Sequence, residues 1–404
     1  MSGSGQFMEV RIKKESTYGQ LAGATGAKIY TRASLDLDLD KPTYRSNRIR
    51  TSQQTATSRH GVRRAAGGLN DELACSAYQD LFAAVLRAAW VAGVTSGAII
   101  TVTASATPPH FTRSSGSWIT DGFRVGMLVR WGGWATTGAV NNAKNFVITV
   151  LTASDMTVAE VGQETATVGA KAAGDSVTLT ATGKTLIVPQ SGHTRDSFNI
   201  ERVYKDFTPN RSETIVGAVP TGFTIDAKPD SMVTVQFPFL GKDRIDKNDG
   251  EYFTTPTAAD THDTFGSALG LLYLYGAQAL HITGITLNVA GGHQAGSPIL
   301  VPSVSEIFPG RVDVSGTLSG YLVDFSLRDA FRAETEGNLA FQLAASPAAN
   351  ADVLGVTLSR IKVGKVDIQD SESMFVQNIP FEALENIAGT GTDLTTIRLQ
   401  DTTL

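Results

Sequence analysis

A chain of 404 residues exceeds what one hydrophobic core usually organises, and 42% hydrophobic with 18% charged content lets each of two or three domains bury its own. A formal net charge of -5 with a single cysteine excludes a surface that grips nucleic acid all over, a disulfide within the chain and a cysteine-held zinc cluster. The 40 glycines among runs of Thr, Ser and Ala signal many turns and short strands, so the expected class is mainly β with flanking helices.

Residues 1–30 are Gly/Ser-rich and then charged, lack the apolar h-region of a secretory signal, and read as an extended arm. The clearest strand follows, where Leu35, Leu37 and Leu39 alternate with Asp36, Asp38 and Asp40. Side chains reverse at each strand residue, so one face is apolar and the other carries the carboxylates. Over 41–64, Arg45, Arg48, Arg50, Arg59, Arg63 and Arg64 stand among Ser, Thr and Gln, the composition of a long polar loop or projecting hairpin. Tyr78, Leu81, Phe82, Val85, Leu86 and Ala89 then recur at helical spacings and predict an amphipathic helix over 74–92, with Cys75 in its packing and Gly93 as its stop.

From 94 to 184 the charge density drops, and strand-like runs at 98–103, 127–131, 146–151 and 176–180 accompany Trp118, Trp131 and Trp134. This reads as an inserted small β-barrel or sandwich with its own core. Strands at 198–204, 213–218 and 232–237 precede a polar linker over 242–263 and a buried helix over 265–280. That apolar run is too short to cross a bilayer, so no membrane anchor is expected.

An internal repeat spans these elements. Leu69, Leu73, Asp80 and Phe82 match Leu318, Leu322, Asp329 and Phe331, each displaced by 249 positions. Downstream, Asp230-Ser231-Met232 leads to Pro238-Phe239 as Glu372-Ser373-Met374 leads to Pro380-Phe381, with Met and Pro six apart in both; upstream, Ile215-Val216-Gly217 is matched to Val353-Leu354-Gly355. The expected organisation is a first domain of 1–93 and 185–245, the insert at 94–184 placed on the outside, and a second domain of 246–404.

The alternating strand, the Arg-rich loop, the strand 62–73 running toward a helix, and the late strands ending at Phe237-Pro238-Phe239 and Ile379-Pro380-Phe381 resemble the tail tube proteins of long-tailed, non-contractile bacteriophages. The resemblance covers everything outside the insert and implies duplicated tail-tube β-sandwich or barrel domains, with neighbouring subunits joined into a β-lined channel. It implies stacked rings, and because the duplication gives each chain two wedges, the ring is expected to be trimeric with pseudo-sixfold symmetry, or else hexameric. It further implies tape measure, tail terminator and distal tail proteins as partners, assembly in the host bacterial cytoplasm and residence in the virion tail.

A conduit must not hold its cargo, and phosphate contacts dominate DNA affinity, so a carboxylate- and hydroxyl-lined lumen is expected. Asp36, Asp38 and Asp40 are the candidate lumen groups, with Thr286 and Asn288 their counterparts in the second half; the alternative is a merely solvated sheet face. The six loop arginines are candidates for contacts between rings or subunits, because guanidinium groups take carboxylates bidentately.

The six histidines are dispersed, and neither a nucleophile elbow, a Walker loop nor a dinucleotide fingerprint occurs, so no enzyme activity, metal or cofactor is expected. Asp260, His262 and Asp263 make at most a weak acid-base cluster in a polar linker. A rival reading is a carbohydrate-binding β-protein with Trp118, Trp131 and Trp134 as its sugar platform, or a capsid or decoration protein.

Overall fold

The computed structural model describes residues 7–55, 57–163, 166–370 and 374–404, and it is mainly β. The first part of the chain contains β1 (Met8–Lys14), β2 (Thr25–Tyr30), β3 (Ser34–Leu35), β4 (Asp38–Asp40), β5 (Thr43–Arg45), β6 (Ser58–His60), β7 (Arg64–Glu72), helix α1 (Gln79–Leu86) and β8 (Val91–Ala92). The arm expected over 1–30 is instead, across its described part, a strand pair inside the fold: β1 lies between β2 and β16 (Phe198–Tyr204) and buries Val10 and Ile12. Its periodicity was masked by Arg11, which is buried and held by Glu9 at 2.6 Å and Glu251 at 2.8 Å.

The helix is shorter than its spacing predicts. Residues 75–78 are turns, and Arg87 ends α1 in the left-handed conformation (φ 57), its N–H donating to Ala83 O. The reason is tertiary: the Arg87 guanidinium donates to Gly291 O at 2.6 Å and Gly310 O at 2.7 Å, which a continuing helix would forgo.

Between the flanks, β9 (Val102–Ala106), β10 (Pro109–Arg113), β11 (Leu128–Gly132), β12 (Phe146–Leu151), β13 (Asp155–Glu160) and β14 (Thr178–Ala181) form a six-stranded antiparallel sheet in the order β14-β11-β12-β13-β10-β9. Trp118, Trp131 and Trp134 are at most 4% exposed and pack with Phe111 in its core, so they offer no sugar platform. This unit does not hang free. Leu128 and Val147 pack on Leu271 and Val353, and the Gln400 amide bonds Leu128 N, Leu128 O and Thr182 O at 2.8 to 2.9 Å.

After β15 (Lys184–Ile187) and β16 come β17 (Arg211–Pro220), β18 (Gly222–Ala227), β19 (Thr234–Gly241), β20 (Asp243–Lys247) and β21 (Thr255–Thr257). β20 pairs with β17 and β21 with β2, so strand pairing with the first half reaches as far as Thr257, beyond the boundary expected at 245. The remainder comprises β22 (Gly270–Leu274), β23 (Ala277–Gln278), β24 (Ile282–Ala290), β25 (Gln294–Gly296), β26 (Glu306–Phe308), β27 (Asp313–Tyr321), helix α2 (Ser326–Arg332), β28 (Glu336–Ala344), β29 (Val353–Val363), β30 (Asp367–Asp370), β31 (Phe375–Ala383) and β32 (Arg398–Asp401). The helix expected over 265–280 is the hairpin β22–β23. Tyr275 and Gly276, at φ 53 and 78, close it as a two-residue turn, and a short apolar run fits a buried strand as readily as a helix.

Registers in the two halves coincide. Leu69 of β7 faces Phe237 of β19 and Gly68 faces Pro238, while Leu318 of β27 faces Ile379 of β31 and Thr317 faces Pro380. β16 and β17 slip between Phe198 and Ile200, as β28 and β29 slip between Gly337 and Leu339; beyond the slips Ile200 faces Ile215 and Leu339 faces Leu358. Pro220 faces Phe239, and Val363 faces Phe381. Gly217 therefore stands where Arg360 does, five residues from the Gly355 matched to it in sequence; its φ of 66 is a local bulge requirement that carries no register. Glu372 and Ser373 of the downstream match lie outside the described residues.

Candidate assembly surfaces

Eight elements of this register join into one antiparallel sheet: β3/β4, β7, β19, β18, β24, β27, β31 and β30, in that order. Alternation gives it two faces. Leu37, Leu69, Phe237, Ile225, Leu287, Leu318 and Ile379 point inward and are buried, sharing one core with Val10, Ile12, Ile200 and Ile215. Asp36, Asp38, Asp40, Thr286 and Asn288 all lie on the opposite face, so the sequence-chosen groups from the two halves share a single surface. The strand 34–40 is interrupted between β3 and β4, yet Leu35–Leu69 and Asp38–Ala66 keep one register across the gap.

That face is polar along its whole width. Thr286 Oγ1 donates to Asp226 Oδ1 at 2.9 Å, Thr224 Oγ1 to Asn288 Oδ1 at 3.2 Å, and Ser319 Oγ to Asn378 Oδ1 at 3.0 Å, cross-strand pairs of the kind that hold a sheet together. Carboxylates project from β4, β7, β18, β27, β30 and β31, whereas Arg64 is the one cation on a strand position of this face among the described residues. Cations at the margin partly offset them: Arg244 lies 2.6 Å from Asp38, Lys228 2.6 Å from Asp226 and Lys365 2.9 Å from Asp367. Burial opposes ionisation of Asp38, but the Leu39 N–H and Arg244 outweigh it and hold the carboxyl below its usual range. The face is thus less anionic than the sequence alone implies.

The six loop arginines divide into two groups. Arg63 pairs with Asp243 at 3.0 Å and Arg64 with Asp40 at 3.4 Å, so both serve the chain's own fold. Arg45, Arg48, Arg50 and Arg59 sit on or between β5 and β6, a hairpin exposed throughout its strands, and no carboxylate lies within ion-pair distance of them among the described residues. Tyr44 and Ile49, 61% and 100% exposed, give the same loop an apolar side.

Two surfaces escaped the sequence reading. β30 exposes Asp367 and Gln369 at the far edge of the sheet; the period-two run Lys365-Val366-Asp367-Ile368-Gln369 was the signal for it. The second is α2, which buries no residue where α1 buries five, and which the similarity between Asp80-Leu81-Phe82 and Asp329-Ala330-Phe331 does not reveal. Asp260 and His262 meet at 2.5 Å, which raises the imidazole pKa, and among the described residues no cluster suited to a metal ion is found.

Sheet edges that have no pairing partner among the described residues, a broad hydroxyl and carboxylate face and a projecting basic hairpin are the surfaces this mainly β fold offers for assembly. The sequence profile of the phage tail tube protein family matches residues 8–383, and the chain belongs to that family. It is therefore a structural component of a bacteriophage tail, and the match runs through the insert as well as both halves. No curated protein matched the chain.

Proposed function

We propose that this chain polymerises into stacked rings forming the tube of a long, non-contractile phage tail, through which DNA passes without being held. The observation that carries the reading is the coincident register, including the slipped pair, which supports two copies of one wedge per chain with the insert placed after the first copy's helix. Three chains then present as many wedges as six single-wedge subunits, giving a trimeric ring with pseudo-sixfold symmetry in preference to a hexamer. The outward face, with Asp36, Asp38, Asp40, Thr286 and Asn288, lines the channel, because hydroxyls and carboxylates do not neutralise phosphates and so release no counterions on contact with duplex. Tape measure protein lies within the tube, tail terminator and distal tail proteins cap its ends, and assembly takes place in the host cytoplasm.

Electron microscopy of the purified chain tests this: tubes or rings with a central channel and threefold subunit count are expected. Monomers without rings at any concentration sink the proposal, and sixfold counting sinks the trimer.

A further inference from the structure

The two halves of the chain meet through an edge joint and a loop seat. β18 adds to β24 with Ile225 facing Leu287 on the buried side and Asp226 facing Thr286 on the polar side. Beside this joint the loop bearing β25–β26 reaches back to the first half: Arg63 N–H donates to Pro302 O at 2.9 Å, and Arg87 at the end of α1 holds Gly291 O and Gly310 O.

Matching positions at the other end of the chain lack these partners. Among the described residues, β30 pairs only with β31, and β3/β4 only with β7. Val323, Phe325 and Phe331 around α2 are 61%, 57% and 46% exposed, beside a groove of about 640 Å³ whose lining includes Leu274, Leu327, Asp324 and Asp329. The β5–β6 hairpin faces Tyr44 with Arg59, the register in which β25–β26 faces Gln294 with Phe308, but it projects unseated.

We propose that a second copy of the chain joins through a replica of the internal joint, a conclusion that rests on the tube-subunit reading. β30 of one copy adds antiparallel to β4 and β3 of the next, and the next copy's β5–β6 loop seats in the groove beside α2. Carried through equivalent positions, the β18–β24 register sets Gln369 opposite Asp36, Ile368 opposite Leu37, Asp367 opposite Asp38, Val366 opposite Leu39 and Lys365 opposite Asp40.

The chemistry fits position by position. The Gln369 amide donates to the Asp36 carboxylate as Thr286 does to Asp226, and the inward pairs are apolar as in the internal joint. Lys365, 2.9 Å from its own Asp367, stands between that carboxylate and the facing Asp40, and Arg244 holds Asp38, so the opposed carboxylates Asp367 and Asp38 do not meet without a cation beside them. The Leu37 carbonyl accepts from Arg202, and its second lone pair stays free for a backbone donor of β30. The loop supplies cations and no carboxylate between 41 and 63, against Asp324 and Asp329 on the groove.

Facing residues of an antiparallel pair lie about 4.5–5.5 Å apart, within disulfide reach. The full chain bearing Asp36→Cys and Gln369→Cys is expected to convert under mild oxidation from monomer to a covalent ladder ending in a closed ring. Each single variant should not, and Asp226→Cys with Thr286→Cys, closing within one chain, is the positive control; native Cys75 is buried and does not interfere. Rings that form while cross-linking instead through Asp36→Cys with Ile368→Cys, or through neither pair, overturn the joint. Absence of any ring, with the control pair closed, overturns the tube reading itself. Ile49→Asp should leave the melting temperature unchanged and abolish ring formation, since Ile49 is fully exposed in the isolated chain; intact rings with Ile49→Asp refute the loop seat.

Discussion

Arg398 is 1% exposed and meets Asp393, Val125 O and Thr357 Oγ1, tying the C-terminal strand to the insert. Burial, opposed by Asp393, lowers its pKa, so the guanidinium depends on that carboxylate. Removing one partner of a buried pair costs about 3–5 kcal/mol, whereas replacing both by apolar groups costs far less. Asp393→Ala is therefore expected to lower the unfolding free energy by that amount, and Asp393→Ala with Arg398→Met to restore most of it, measured by denaturant titration. At Glu9, burial favours the neutral acid, but Lys205 and Arg11 overcome it and depress the pKa. A depressed acid contributes stability that is present above the unfolded value of about 4.3 and lost as pH falls through the folded one. Acid unfolding of the Glu9→Gln variant should accordingly show a shallower pH dependence below about 4.3 than the parent chain.

At the scale of elements, two glycines separate backbone strain from crowding. Gly67 has φ 152 and a Cβ there would lie 2.5 Å from Leu37 Cα, directly against the strand carrying the acidic residues. Gly276 has φ 78 but open space around it, so its substitution meets only the left-handed penalty of about 1 kcal/mol. Gly276→Ala should thus be a mild variant, and Gly67→Ala should destabilise more and weaken ring formation, because β4 can no longer lie on β7; thermal melts and sedimentation distinguish them. The same element scale explains the misread helices. A 3.6-residue pattern over 74–92 is real, yet Arg87 leaves the helix to satisfy carbonyls about two hundred residues away in sequence, and no local signal announces that.

For the whole molecule, the acidic face matters only if copies close around it. Asn288→Lys and Thr317→Lys together, on the same face but away from the joining edge, are expected to give tubes that retain duplex DNA at low salt and release it as salt rises, read by co-sedimentation. Unchanged DNA retention would place these residues away from the channel. The insert is expected to behave as part of the wall: excising 94–184 exposes Leu271 and Val353 and strips Gln400 of its partners, so the remaining chain should melt earlier. An equal melting temperature would mean that the insert is a detachable decoration.

Alternation and repetition were legible without a structure, since both are written in nearest neighbours and in fixed spacing: the Leu–Asp strand, the β class, the separate tryptophan-rich core and the recurrence by 249 positions all followed from them. Only the tertiary structure decided which strands end as edges, that Arg63 and Arg64 are spent on Asp243 and Asp40, that Arg244 sits on Asp38, and that α1 is covered where α2 is bare. The physical reason is range. Side-chain direction along a strand is set by the residue itself, whereas an edge, a seat or an ion pair is defined by a partner that the chain brings near only after folding.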